Sequence, residues 1–221
     1  MMWLHRFTKV VVGATFLLVV AGGLVTSTGS GLSVPDWPTT YGWSMFTFPY
    51  SKWVGGIVYE HGHRLIATTV GLLTILMVVA YWRAESRRWV KRLTLVALGA
   101  IVAQGLLGGV TVLTKLPPVV SSAHAGLAEV FFALTVSLAL FTSPSWARAY
   151  AASAPAPGST QALAADRGLR QLSVLAIAVV YLQILLGAVM RCCHSLRAPC
   201  LRSRRGDLPR CRGLAHLPET R

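Results

Sequence analysis

Residues 59–82 read YEHGHRLIATTVGLLTILMVVAYW. From Leu65 onward the stretch stays apolar long enough to approach the ~20 residues that cross a bilayer as a helix. Yet it opens with Glu60, His61, His63 and Arg64. Charge and imidazole at the mouth of a membrane helix cost free energy, so either the helix end is solvated or the cluster is a site. The apolar run decides the fold class, and its polar head raises the functional question.

The rest of the chain has the same character. Of 221 residues, 54% are hydrophobic and 13% charged, and the mean hydropathy is +0.58. A soluble domain carries about 25% charged residues, so the composition indicates a membrane protein. Five apolar runs lie at roughly 10–28, 65–82, 93–113, 123–141 and 172–190. They predict an all-α, polytopic membrane helix bundle. A four-helix transmembrane bundle takes 1–142, a cytoplasmic Ala/Pro/Ser-rich linker 143–170, a fifth transmembrane helix 171–191, and an Arg/Cys-rich tail 192–221. The first run is not read as a signal peptide, because no small-residue cleavage site follows it and further spans do.

The net charge of +14 is placed in a pattern. Arg6 and Lys9 precede span 1; Arg83, Arg87, Arg88, Lys91 and Arg92 follow span 2; Arg148, Arg167 and Arg170 follow span 4. The alternate loops carry little beyond Lys52, Arg64 and Lys115. This is the positive-inside distribution, with a cytoplasmic N-terminus. It argues against nucleic acid as partner, since no base-reading motif accompanies the charge. Residues 191–221 do not fit it: eight Arg and all four Cys (Cys192, Cys193, Cys200, Cys211) fall on the outer side. The Cys-Cys-His run there has no zinc-site spacing, and the segment reads as a disordered tail.

The loop between spans 1 and 2 contains GSGLSVPDWPTTYG and FTFPYSKW. Its Pro and Gly residues break helices and allow turns, and its aromatic residues suit a membrane interface. Asp36 reads as a turn residue. A faint repeat relates VVAGGLVTS at 19–27, QGLLGGVTV at 104–112 and QILLGAVMR at 183–191. Small residues of this kind let helices approach closely, which is a sufficient reason for the likeness.

Of the six His, His5, His194 and His216 lie in tails, and His61 reads as a solvated helix-start residue. His63 and His124 open spans 2 and 4 at similar depth, on what read as neighbouring parallel helices. Ala67, Gly71 and Ala128 follow them on the same faces, leaving room for a macrocycle. Two such imidazoles can be axial ligands of haem iron in a four-helix bundle, or can form interhelical hydrogen bonds. Glu60 is either the salt-bridge partner of Arg64 or an acid–base group beside a bound macrocycle. Arg64 can equally hold a propionate. Glu129 reads as a packing or pairing residue.

These motifs resemble the CtaA/COX15 family, the haem A synthases. The likeness is carried by GGLVTSTGSGLSVPDWPTTYG, EHGHR, GGVTVLTKLPPVVSSAHAGLA and QILLGAVMR in that order. It implies oxidation of a haem O methyl to a formyl group, giving haem A for cytochrome oxidase assembly. It implies Glu60 as the essential carboxylate and His63 and His124 as iron ligands. It implies haem O as substrate in this half, and haem b in a second bundle whose ligands have no counterpart here. Lipid, haem O synthase, an electron donor or a second copy of the chain are the implied partners. The location is a bacterial inner (plasma) membrane, or alternatively a mitochondrial inner membrane. After GAVMR the family pattern stops, so the tail reads as truncation, with a frameshift near 191. The competing readings are a bis-His b-type haem-binding or electron-transfer protein without catalysis, and an inactive fragment.

Overall fold

A computed structural model describes residues 2–146, Arg148 and a scatter of helical residues between 171 and 187. The 192–221 tail, most of the linker and much of the fifth span lie outside the described residues. Four helices make the bundle: α1 (Met2–Ser27), α2 (Gly56–Ala84), α3 (Arg88–Leu113) and α4 (Pro118–Phe141). All four are long and apolar enough to cross a membrane. The shortest, α4, has 24 residues, or about 36 Å at ~1.5 Å per residue, against a hydrocarbon core of ~30 Å.

The helices begin earlier than the apolar runs do. Helix α2 starts at Gly56, so Glu60 to Arg64 sit inside its first turns rather than at its mouth. Continuing the helix satisfies backbone donors that a frayed end would leave bare near lipid. Helix α4 begins with Pro118 after Pro117, where proline's missing N–H and fixed φ are no handicap.

Helix α1 packs on α2, α2 on α3, α3 on α4, and α4 on α1. The bundle is therefore a ring, and α2 and α4 stand diagonally across it. This corrects the expectation that they are neighbours: the two candidate imidazoles come from opposite corners.

The seam has a coiled-coil rhythm. Buried positions are 4, 8, 11, 15 and 18 in α1, and 70, 74, 77 and 81 in α2. In α3 they are 90, 94, 97 and 101, and in α4 131, 135 and 138. Alternating steps of four and three keep one stripe facing the partners. Apolar residues hold most of these sites (Leu4, Val11, Leu18, Val70, Met77, Val90, Ala97, Ile101, Phe131, Leu138). Threonines hold others. Thr8, Thr15 and Thr74 return their hydroxyls to Leu4, Val11 and Val70 carbonyls at 2.8 Å. In the same way Thr94 bonds the Lys91 carbonyl and Thr135 that of Phe132. Each is polar, but satisfied within its own helix, and so can be buried.

One end of the bundle is basic and tightly closed. Tyr81, fully buried, meets the Thr8 hydroxyl at 2.8 Å. Glu85 folds the α2–α3 turn by accepting from the Ser86 and Arg87 backbone N–H groups and from the Arg87 side chain. Those Arg87 bonds hold its carboxyl below the usual range. The opposite end carries the α1–α2 and α3–α4 loops and every candidate site residue.

Candidate functional site

His63 is the eighth residue of α2 and His124 the seventh of α4, so both lie about 10 Å below the loop end at ~1.5 Å per residue. Each ring rests on a glycine of the preceding helix. A Cβ built on Gly22 of α1 would meet His63 Cε1 at 3.1 Å, with both ring nitrogens at 3.7 Å. A Cβ built on Gly108 of α3 would meet His124 Cε1 at 3.0 Å, with both nitrogens at 3.6 Å. The two imidazoles thus hold the same pose on their glycines. Each glycine stands five residues before the end of its helix, Ser27 or Leu113. The Leu18 carbonyl lies beside the His63 ring, and the Gln104 carbonyl beside His124. Both are one turn before the respective glycine.

Neither His63 Nδ1 nor His124 Nδ1, although buried, makes a hydrogen bond of normal geometry among the described residues. His61 Nε2 is likewise buried without a partner, so it is the matched glycine seats rather than the unpaired nitrogen that set His63 and His124 apart. The Gln104 amide donates to the His124 carbonyl at 2.9 Å, tying α3 to α4 at that residue.

Glu60 and Arg64 form a buried pair at 2.7 Å. The second Glu60 oxygen, Oε2, accepts from the Val34 N–H at 2.8 Å. Arg64 Nη1 donates to the carbonyls of Asp36 (2.7 Å) and Thr39 (3.0 Å), and Nη2 to those of Val34 (2.9 Å) and Glu60. A guanidinium has five N–H donors; four are committed here. Three of these bonds go to the loop and one to Glu60, and Nε–H is left over for any further acceptor. What the pair does hold is the α1–α2 loop.

That loop has its own internal bracing. Asp36 accepts from the Thr39 hydroxyl and from the Tyr41 and Gly42 N–H groups, in keeping with a turn residue. Burial is the largest single influence on its carboxyl and raises its pKa. The bonds from Gly42, Thr39 and Tyr41 together outweigh it and hold the pKa below the ordinary 3.8. The Ser30 and Ser33 hydroxyls press against Gly56, where a side chain would collide with them.

His61 is not solvated. It is fully buried, with Nδ1 3.1 Å from the Thr40 hydroxyl and the Phe48 and Trp53 rings 5.1 and 4.7 Å away. It anchors the far half of the loop. Glu129 is half-buried on α4 and carries no ion pair among the described residues. No cluster of three or more potential metal-ligating side chains occurs among them either. Haem iron needs only two protein ligands, so the pair of imidazoles is the arrangement to weigh.

Sequence reasoning reached His63 and His124 but missed Gly22, Gly108, Gln104 and Trp37. The signal for the glycines was the repeat itself. Its Gly-Gly steps fall at equal distances from two helix ends, and each precedes a helix bearing a histidine.

Four membrane-length helices around two diagonal, glycine-seated imidazoles define a polytopic membrane helix-bundle protein. The chain belongs to the COX15-CtaA family, described as cytochrome oxidase assembly protein, whose model matches residues 5–201. It is similar to the Heme A synthase of Shouchella clausii (strain KSM-K16), 34% identical over 124 residues, covering 55% of this chain and 40% of that protein. It is also similar to the Heme A synthases of Brucella ovis and Brucella suis, each 31% identical over 140 residues, covering 60% of this chain and 38% of theirs. The chain thus spans about two fifths of the length of these relatives. No solved structure matches it.

Proposed function

We propose that this chain binds haem between His63 and His124 and belongs to an oxidoreductase of the haem A synthase kind, which converts a haem O methyl to a formyl group. The observation that carries this reading is the matched pose of the two imidazoles, each seated so closely on a glycine that an added Cβ would press on the ring. The donor set fits the group: imidazole is a good axial ligand, and a four-helix bundle suits a macrocycle. The relatives' printed name supplies the reaction type. Bound haem O would supply both the iron and the methyl to be oxidised. The protein's part is to grip the iron from two corners, exclude water below with the apolar seam, and present a carboxylate at the loop end.

Glu60 is that carboxylate, three residues before His63 on the same helix. Its two oxygens each accept one bond, and a carboxylate has about four acceptor positions. It therefore retains the capacity to accept a proton or orient a water. The second reading, a bis-His haem-binding or electron-transfer protein without catalysis, is favoured by the same two bonds, which give Glu60 a structural duty. Glu60→Gln separates the two. The variant should keep the haem absorbance and lose formyl production, followed as haem A by pyridine haemochrome analysis. Parallel loss of haem would favour the structural role. The placement of basic residues supports an inner-membrane orientation with the N-terminus in the cytoplasm. Besides membrane lipid, the partner we propose is haem O synthase, an electron donor or a second copy of the chain.

A further inference from the structure

The Trp37 indole lies across the backbone of α3. A Cβ on Gly109 would come within 2.5 to 2.8 Å of Trp37 Cδ2, Cε2 and Cε3, so the ring occupies the place of a side chain there. The preceding residue, Gly108, is the seat of His124. Trp37 and His124 thus rest on consecutive glycines. Trp37 also sits inside the segment that Arg64 holds: the three bonded carbonyls belong to Val34, Asp36 and Thr39, on either side of it. Arg64 itself directly follows His63. A continuous set of contacts therefore runs from α2, beside one imidazole, through the loop, to α3, beside the other. The symmetry-related position has no such neighbour, since a Cβ on Gly23 would meet nothing within 4 Å.

We infer that Trp37 is a positioning residue for His124, held on Gly109 by the Arg64 clamp and bracing the α3 backbone next to Gly108, on which the imidazole lies. This rests on the haem reading given above, and goes beyond it by giving one ligand a support borne by the other ligand's helix. With Trp37 removed, or displaced by a Gly109 side chain, the α3 backbone at 108–109 loses that brace and His124 is free to shift from its seat. His63, on Gly22, is untouched.

The test uses the full chain in detergent, reconstituted with hemin, in Trp37→Ala, Trp37→Phe, Gly109→Ala and Arg64→Ala forms. Absorbance reports six-coordinate, low-spin iron, and carbon monoxide binding to the reduced form reports a vacated axial position. Amide hydrogen exchange of segments 34–42 and 104–112 is read on the haem-free protein. Trp37→Ala and Gly109→Ala should lose low-spin signal and gain carbon monoxide binding, while Trp37→Phe keeps the wild-type spectrum. Adding Arg64→Ala to Trp37→Ala should cause no further rise in carbon monoxide binding, because Arg64 reaches His124 only by way of Trp37. Wild-type spectra in both Trp37→Ala and Gly109→Ala would overturn the inference. A wild-type chain that takes up no hemin defeats the haem reading instead. Exchange then decides alone: unchanged protection of 104–112 in Trp37→Ala overturns the positioning role, and lost protection upholds it.

Discussion

Two glycines set the pose of the two imidazoles. Gly22 and Gly108 are the seats of the imidazoles, and an added methyl at either place falls 3.0 to 3.1 Å from a ring carbon. Gly22→Ala or Gly108→Ala should push the ring off its pose. Overpacking of this size costs about 1–3 kcal/mol, and hemin titration should show weakened uptake alongside a lowered Tm. Asp36 makes a second residue-scale case. Its folded pKa lies below its ordinary 3.8. Ionisation therefore stabilises the loop throughout the range above that value, and the contribution is lost as the pH falls through the lower folded value. Exchange protection of residues 34–42 should hold from neutral pH down to about 4 and decline below it. Asp36→Asn should start less protected and show no such decline.

Helix α2 and the loop it holds behave as one element. The Glu60–Arg64 pair is buried, and Arg64→Ala would leave Glu60 buried with only the Val34 bond. Breaking a buried pair from one side typically costs about 3–5 kcal/mol. Arg64→Ala should therefore lower stability in denaturant titration much more than an exposed change such as Arg83→Ala. How much of this was legible in the sequence follows from where each signal resides. The spans were legible because an unbroken apolar run is itself the physical requirement for crossing lipid. The pairing of Glu60 with Arg64 was legible from their four-residue spacing. Arg64's other partners were not, because they are loop carbonyls, which every residue carries. His61 was misread for a related reason: its burial is made by Phe48 and Trp53, residues brought over it only by the loop's path. The repeat was visible, yet its meaning was not, since a Gly-Gly step looks the same whether it admits a helix or an imidazole.

Over the whole molecule, function is divided along the helix axis. The basic end is closed by Tyr81, Thr8 and the heptad seam, and the loop end opens into small residues around the two histidines. The ring arrangement puts those histidines at opposite corners, in equivalent poses. His63→Ala and His124→Ala should accordingly lower hemin uptake to a similar degree, with both variants retaining five-coordinate iron on the surviving ligand. Electronic absorption with and without added imidazole measures this, since free imidazole should restore the low-spin spectrum in each.

The near-equivalence of the two seats has a consequence for regiochemistry. A pair of matched ligands cannot tell one face of a flat, unsymmetrical substrate from the other, so it offers two ways round for the same molecule. Among the described residues the degeneracy is broken on both sides: on α4 the Gln104 amide bonds the His124 carbonyl and the Tyr181 hydroxyl that of Gly126. Where α2 has Glu60 and Arg64 around its histidine, α4 has Ser121 and Ala125, and only the loop above α2 sends an aromatic ring across to the other half. On the haem reading proposed above, fixing one orientation of the macrocycle falls in part to the clamp and its loop, and weakening them should scramble orientation before it abolishes binding.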